Sequence, residues 1–260
     1  MTGYSDLVPR SCRPILVLTG AGISAESGIP TFRGADGLWE GHRIEDVASP
    51  AGFRRNPELV HRFYNARRAK LLSPEVRPNA GHQALVELAR RWPAPVRVIT
   101  QNVDDLHERA GLAPVDPESG RKVGPGIGEV LHMHGELRRV RHMRTGATQA
   151  WDGPCDEATV DPETGERGVL RPHIVWFGEA VLGLELIEEW LDDCEYFLAI
   201  GTQGAVWPAA GFVHEARRRC RARALEFNLV PTEISAAFDT TLTGRAGETL
   251  PKWVRSLVIE

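Results

Sequence analysis

No stretch of this sequence approaches the roughly 18 consecutive apolar residues that a membrane-crossing helix requires. Nor does one sign of charge prevail: 31 Lys and Arg stand against 35 Asp and Glu, a formal net charge of −4. That balance argues against general attraction to nucleic acid or to a membrane, and leaves open only a local basic patch. Cysteine is scarce. Cys12, Cys155, Cys194 and Cys220 stand far apart in the chain, and no Cys-x-x-Cys pair occurs. The disulfide framework of small secreted proteins is therefore excluded, and the thiols are expected to be reduced. The segment from Met1 to Arg10 is too polar for a secretory signal, so a cytoplasmic location is expected. There is no internal repeat. With 42% hydrophobic and 25% charged residues, the composition is that of an average globular protein. Disordered, collagen-like and coiled-coil chains are excluded, and 260 residues suffice for one large domain, or for one domain with a smaller insertion.

The run Ile15-Leu16-Val17-Leu18-Thr19 is apolar, β-branched and bounded by Gly20. Such a run fits a strand buried on both faces of a parallel sheet. Similar runs recur at Val96–Thr100, Tyr196–Ile200 and Ala224–Asn228, each followed by polar or glycine-containing sequence. Helical patterns fall between them. Pro57–Leu72 opens with Asn56 as N-cap and Pro57 at the first helical position. Asn79–Arg91 carries Ala84, Leu85, Leu88 and Ala89 at helical spacing, and Leu182–Cys194, Ala209–Cys220 and Thr249–Ile259 follow the same logic. Strands alternating with helices predict an α/β fold with a Rossmann-like, doubly wound parallel sheet. Two stretches interrupt the alternation. Residues 112–128 are rich in Pro and Gly and read as a surface insertion, and residues 138–172 read as a small subdomain inserted into the sheet domain.

Gly20-Ala21-Gly22-Ile23-Ser24-Ala25 fits the dinucleotide pattern G-x-G-x-x-G/A, in which glycines let backbone approach a pyrophosphate. The pattern alone is weak, because glycine turns after strands are common for steric reasons. A dehydrogenase would continue with a helix, a second strand and an acidic residue about 20 positions on. Here Ser27-Gly28-Ile29-Pro30-Thr31-Phe32-Arg33-Gly34 follows, which reads as a loop closing over a nucleotide with Arg33 as a phosphate or ribose contact. Gln101-Asn102-Val103-Asp104 stands at a strand's carboxyl end, suited either to ligand contact or to capping the next helix, with Asp105 as the capping residue. His132 and His134 share a face of a strand, so a two-histidine metal site is one reading; it lacks the further ligand that such a site needs. Tyr64 and Arg67 lie on one face of a helix, where Arg68 and Lys70 suggest a solvated charged surface. Cys155, Cys194, Cys220 and His173 carry no functional signal and are read as structural.

Five motifs in order, GAGISAESGIPTFRG, TQNVDDLHERAG, HMHGEL, RPHIVWFGE and GTQG…PAAGF, resemble the sirtuin family of NAD-dependent protein deacylases from about Ile15 to the C-terminus. The resemblance implies a single sirtuin-type catalytic domain over residues 1–260, with the small subdomain at about 138–172 and a helical insertion at about 35–78. It implies NAD bound by Gly20, Ala21, Gly22, Ile23, Ser24, Glu26, Phe32, Arg33, Trp39, Gln101, Asn102, Val103, Asp104, Gly201, Thr202, Gln203, Asn228, Leu229, Val230 and Ala246. His134 is implied as the general base, with Asn102 beside it at the nicotinamide ribose, and His132 then reads as structural. Val175-Trp176-Phe177-Gly178 is implied as the edge that takes an acyl-lysine peptide as an added strand. The Tyr64-x-x-Arg67 pair matches the subgroup that reads acidic acyl groups, implying succinyl- or malonyl-lysine as well as acetyl-lysine substrates. Products would be nicotinamide, O-acyl-ADP-ribose and free lysine, and nothing in the residues addresses oligomeric state.

The sequence departs from the family in its inserted subdomain, after Gly-Thr, and in the unusual insertion at 112–128. Most sirtuins hold a structural zinc with four cysteines, whereas residues 138–172 offer His142 and Cys155 at most, so no metal is expected there. Gln203 stands where a serine is usual after Gly-Thr. Three other readings remain open: ADP-ribosyl transfer or NAD hydrolysis on the same fold, a non-catalytic NAD or ADP-ribose sensor, and a metal hydrolase built on His132 and His134.

Overall fold

The computed structural model describes residues 13–31, 39 and 41–257. Among these, the strands are β1 (Ile15–Thr19), β2 (Val96–Thr100), β3 (Leu112–Pro114), β4 (Ile127–His132), β5 (Gly135–His142), β6 (Thr148–Ala150), β7 (Leu170–Ile174), β8 (Tyr196–Ile200), β9 (Arg223–Asn228) and β10 (Thr240–Thr243). The helices are α1 (Ala21–Ser24), α2 (Ile44–Val47), α3 (Pro50–Arg55), α4 (Pro57–Leu71), α5 (Ala80–Arg91), α6 (Leu106–Ala110), α7 (Leu184–Asp192), α8 (Phe212–Cys220) and α9 (Ala246–Ser256).

Seven strands form one sheet in the order β10-β9-β8-β1-β2-β4-β3, and every pairing in it is parallel. The fold is the Rossmann-like α/β arrangement that the alternation predicts. From β1 the chain winds outward through β2, then returns to β8 on the other side of β1. A reversal of this kind opens a crevice at the carboxyl ends of the strands beside it.

The central strand β1 is buried along its whole length, with Ile15 opposite both Val96 and Tyr196. Successive side chains point to opposite faces. Ile15 and Val17 therefore join Leu85, Leu198 and Trp253 on the α5/α9 side, while Leu16 and Leu18 join Ile99, Phe197 and Trp190 on the α7/α8 side. Helix α4 starts where Asn56 Oδ1 accepts the Leu59 N–H at 3.0 Å, with Pro57 at its first position. At α5, Asn79 caps through the Gly81 N–H, and its amide group also donates to the Ile23 carbonyl and to Ser27.

Some elements differ from the sequence reading. Residues 112–128 are not wholly an insertion: Leu112 and Ala113 are buried in the edge strand β3, and Leu112 pairs with Ile127. Only the excursion between them lies outside the sheet, closed by a Val115–Lys122 bridge. Pro114 belongs at such an edge because it has no N–H for a further ladder bond. Helix α9 begins at Ala246, three residues before the expected start, and Ile259 lies outside the described residues.

Residues 135–174 contain a separate antiparallel sheet, β6-β5-β7, with a small core of Val140, Cys155 and Leu170. Helices α2 to α4 pack beside it around Val60, Tyr64, Leu71 and Trp176. Arg68, read from the sequence as a solvated charge, is instead buried at this junction. Its guanidinium donates to the carbonyl of Leu137 at 2.6 Å and of Gly153 at 3.2 Å. Among the described residues, no helix is long and apolar enough to cross a membrane.

Leu198, fully buried in the middle of β8, tests the central core. Leu198→Ala should lower unfolding stability by about 2–5 kcal/mol, read as a lower urea midpoint at an unchanged denaturant slope.

Candidate active site

At the carboxyl ends of β1 and β8 two backbone segments pass so closely that side chains do not fit between them. A Cβ on Gly20 would lie 2.8 Å from the Gly201 carbonyl oxygen, and one on Gly22 would lie 2.6 Å from the Gly201 Cα. Gly201 itself has a φ of +62°, a region in which residues with a Cβ are strained. The Gly22 N–H donates to the Gly201 carbonyl at 2.9 Å. One amide expected to face a pyrophosphate thus ties the two loops together instead. A cleft of about 1080 Å³ opens over this crossing and runs to the far side of the helical segment.

Below its floor lies a buried polar layer. The Asn102 amide group donates to the Gly20 carbonyl at 3.2 Å and to Ser24 Oγ at 3.1 Å, and the Ser24 hydroxyl donates to Asp104 at 3.0 Å. Asp104 also accepts the Leu106 N–H, and so performs the helix-start role expected of Asp105. Asp105 makes no such cap; its carboxylate pairs with Arg138 at 2.8 Å. Burial pushes the Asp104 carboxyl up to about 6. His82 accepts the Asn79 N–H at Nδ1, so its Nε2 carries the proton that faces Ser24. Burial lowers its pKa to about 4.

The two histidines at the end of β4 are tuned in opposite directions. The Gln101 carbonyl can only accept, and it lies 3.1 Å from His134 Nδ1. The proton therefore sits on Nδ1, and the neutral ring presents Nε2 as a base. Burial lowers the His134 pKa, which keeps the ring neutral. His132 reaches the Asn102 carbonyl at 3.1 Å through Nδ1 and Glu108 at 2.5 Å through Nε2. Burial opposes charge on this ring, but the Glu108 carboxylate outweighs it and raises the pKa to about 10. With both nitrogens engaged, His132 has none to offer a metal. Among the described residues, no group of three or more His, Cys, Asp or Glu side chains is arranged to hold one.

At the far end of the cleft, Tyr64 is fully buried and its hydroxyl accepts from Trp176 Nε1 at 3.0 Å. The Arg67 guanidinium stacks 4.3 Å from the Trp39 ring centre. Val175 donates its N–H to the His134 carbonyl, and Phe177 donates to Ala48, which fixes the Val175–Gly178 edge along the cleft wall. Glu179 accepts the Trp176 N–H at 2.9 Å and is itself held by Arg171 and Arg141. On the opposite wall, Gln101 donates to Thr202 Oγ1 at 2.9 Å, Asn228 donates to the Thr202 carbonyl at 2.7 Å, and Glu26 accepts the Gly247 N–H at 2.8 Å.

The Sir2 family description matches residues 20–208. The chain belongs to the Sir2 family. A protein of Pasteurella multocida (strain Pm70) named NAD-dependent protein deacylase is 47% identical over 240 residues, which cover 92% of this chain and 96% of that one. The protein of the same name from Bdellovibrio bacteriovorus is 48% identical over 251 residues, covering 94% and 97%. Among solved structures, a complex of a Sir2 homolog with NAD aligns with a TM-score of 0.78 at 36% identity, over 93% of this chain and 88% of the other. An ADP-ribose complex of the S24A mutant of a Sir2 homologue reaches 0.80 at 35% identity, over 94% and 91%.

In this Sir2 protein one cleft is lined by Gly20, Ala21, Gly22, Glu26, Trp39, Gln101, Asn102, Val103, Asp104 and His134. Tyr64, Arg67, Val175, Trp176, Phe177 and Gly178 line it too, as do Gly201, Thr202, Gln203, Asn228, Leu229, Val230 and Ala246. Two expected contacts are not on its surface. Ile23 belongs to the α5/α9 core, and Ser24 is buried under Asn102. Phe32 and Arg33 lie outside the described residues. Trp207, Glu233 and Arg245 also line the Sir2 cleft and were missed. They come from loops beyond β8, β9 and β10, where periodicity gives no signal.

His132 stays protonated to about pH 10 in the folded Sir2 chain, against about 6.5 when unfolded. Its pairing with Glu108 thus stabilises the fold fully below about pH 6.5, and that contribution is lost as pH rises through about 10. Glu108→Gln should therefore cost most stability near pH 6 and progressively less toward pH 10, as followed by urea unfolding. An equal deficit at every pH would contradict a charged His132.

Proposed function

We propose that this Sir2-family protein removes acyl groups from protein lysine side chains in an NAD-dependent reaction. The observation that carries the reading is His134, a neutral imidazole whose Nδ1 is committed to a carbonyl, on the same cleft as the glycine crossing and Asn102. The glycine crossing is a cradle that any Cβ would fill, and the cleft slightly exceeds the roughly 300–1,000 Å³ of ordinary small-molecule pockets. Both fit a dinucleotide laid from Asn228 and Thr202 to Asn102. Bound there, NAD would supply an electrophilic ribose carbon to the acyl oxygen of an acyl-lysine. Asn102 orients the ribose face, held in turn by Ser24 and by the buried Gly20 carbonyl. His134 Nε2 accepts a ribose hydroxyl proton, and aromatic walls at Trp39, Tyr64 and Trp176 exclude water from the acyl side.

The acyl preference is for short chains ending in a carboxylate, such as succinyl or malonyl, with acetyl also accepted. Supporting this is Arg67, which lines the cleft with its guanidinium carbon 4.3 Å from the centre of the Trp39 ring. A fixed planar fork suits two-point recognition of a carboxylate. The subdomain is read as free of zinc. His142 Nδ1 accepts the Arg144 N–H at 3.1 Å and its Nε2 pairs with Glu166 at 3.1 Å, leaving no lone pair for a metal. Burial pushes the Cys155 thiol up to about 11, and Asn65 on α4 clamps the Cys155 backbone through both N–H and carbonyl.

Mass spectrometry of succinyl- and acetyl-lysine peptides, with and without NAD, tests the reading. NAD-dependent loss of the acyl group with formation of O-acyl-ADP-ribose is expected; nicotinamide release with both peptides intact would sink it in favour of hydrolysis or transfer. His134→Ala should slow turnover by about 10²–10⁴-fold, the usual contribution of a general base. Arg67→Met should lower the succinyl-to-acetyl ratio of kcat/KM by at least about tenfold, the scale of a lost charge-assisted hydrogen bond. An unchanged ratio would remove Arg67 from acyl recognition.

A further inference from the structure

Away from the cleft, the fold sets two thiols side by side. Cys194 follows α7 just before β8, and Cys220 ends α8 shortly before β9. The parallel pairing of Tyr196 with Arg223 brings these strand entrances together at the amino-terminal edge of the sheet, opposite the cleft. There the two sulfurs, 26 positions apart in the chain, lie 3.4 Å from each other. Cys194 is buried and Cys220 is only partly so, and neither is bonded to another cysteine. The Arg13 guanidinium donates to the Cys194 carbonyl at 2.8 Å and to the Cys220 carbonyl at 3.4 Å, joining the two backbone segments and placing a cation near both sulfurs.

We propose that Cys194 and Cys220 form a redox-modifiable dithiol, which a hydroperoxide converts to an intrachain disulfide. The geometry assigns the roles. Cys220 is the sulfur that an oxidant reaches, and Cys194 is the buried resolving thiol in contact with it. The hydrogen bond shared with Cys194 outweighs burial and lowers the Cys220 pKa to about 6, while that same bond and burial raise the Cys194 pKa. The thiolate is the reactive form.

The Cys220 thiolate attacks one peroxide oxygen; the O–O bond breaks, and Cys220 becomes a sulfenic acid. Cys194 sulfur then attacks the Cys220 sulfur, the S–O bond breaks, and the oxygen leaves as water with the thiol proton. In sum, two thiols and hydrogen peroxide give one disulfide and two waters, with two electrons passing from sulfur to oxygen. A disulfide needs its sulfurs at about 2.05 Å, roughly 1.4 Å closer than the present 3.4 Å contact.

The test treats the full chain with hydrogen peroxide, then alkylates it under denaturing conditions and measures mass. Oxidation should remove about 2 Da and protect two of the thiols. Digestion should yield a peptide linking Cys194 to Cys220, and dithiothreitol should dissolve it. In Cys194→Ser the link should vanish, and Cys220, lacking its resolving thiol, should gain about 32 Da as the sulfinic acid. Cys155→Ser should oxidise as the parent does. Four thiols still open to alkylation after peroxide, a link between other cysteines, or a 2 Da loss that survives Cys194→Ser would each overturn the assignment.

Discussion

The cleft depends on the closeness with which the backbone leaving β1 passes the backbone leaving β8. Gly22 and Gly201 are joined there by a main-chain hydrogen bond of 2.9 Å, with no room for a side chain on either neighbour. Once that crossing is set, the end of β2 is fastened from both sides. Asn102 reaches the Gly20 carbonyl, and Gln101 reaches Thr202. Three strand ends thus share one net of hydrogen bonds, and no single loop can shift without breaking bonds held by the others. Such sharing keeps a set of polar groups aimed at one place without a ligand to hold them.

Within that net the protein obtains two different acids from one residue type. His132 and His134 leave the same strand end, yet one is held as a cation and the other as a free base. The difference comes from what sits at the ring nitrogens: a carbonyl at Nδ1 and a carboxylate at Nε2 for His132, a carbonyl at Nδ1 alone for His134. The charged ring steadies the Asn102 main chain, and the neutral ring faces the cleft. Burial alone accounts for the neutral His134 but not for the charged His132, since both rings are largely removed from water and burial by itself disfavours charge.

The sequence announced β1, β2 and β8 with their true limits because strands covered on both faces read as near-continuous apolar runs, broken in β2 only by the half-buried Arg97. The short edges β3 and β10 gave no such signal; Thr240–Thr243 is half exposed and polar along most of its length. Asn56-Pro57 marked the start of α4 because capping is a local interaction. The glycine and histidine motifs were legible mainly through family resemblance, and resemblance gives a position along the chain, not the side on which it faces. Ile23 and Ser24 were therefore set on the cleft surface although they lie beneath it. Arg68 was misread for a related reason: a run of charges on a helix says nothing about a distant segment that packs over it. The neighbouring thiols at Cys194 and Cys220 were invisible in one dimension, since only the β8–β9 pairing brings them together.

Arg68 has a wider consequence. Its guanidinium lies inside the protein with carbonyl oxygens of Leu137 and Gly153 and the amide oxygen of Asn65 as its hydrogen-bond partners. Asn65 in turn grips the Cys155 backbone. The partners of this cation come from its own helix and from the sheet stretch, so loss of the sheet would strand a buried charge without its acceptors, and loss of the helix would strand the Leu137 and Gly153 carbonyls without their donor. The helical arm that carries Tyr64 and Arg67 and the small antiparallel sheet therefore rise and fall as one cooperative unit. They must also be inherited together: a chimera that exchanged either piece alone would receive half of a joint.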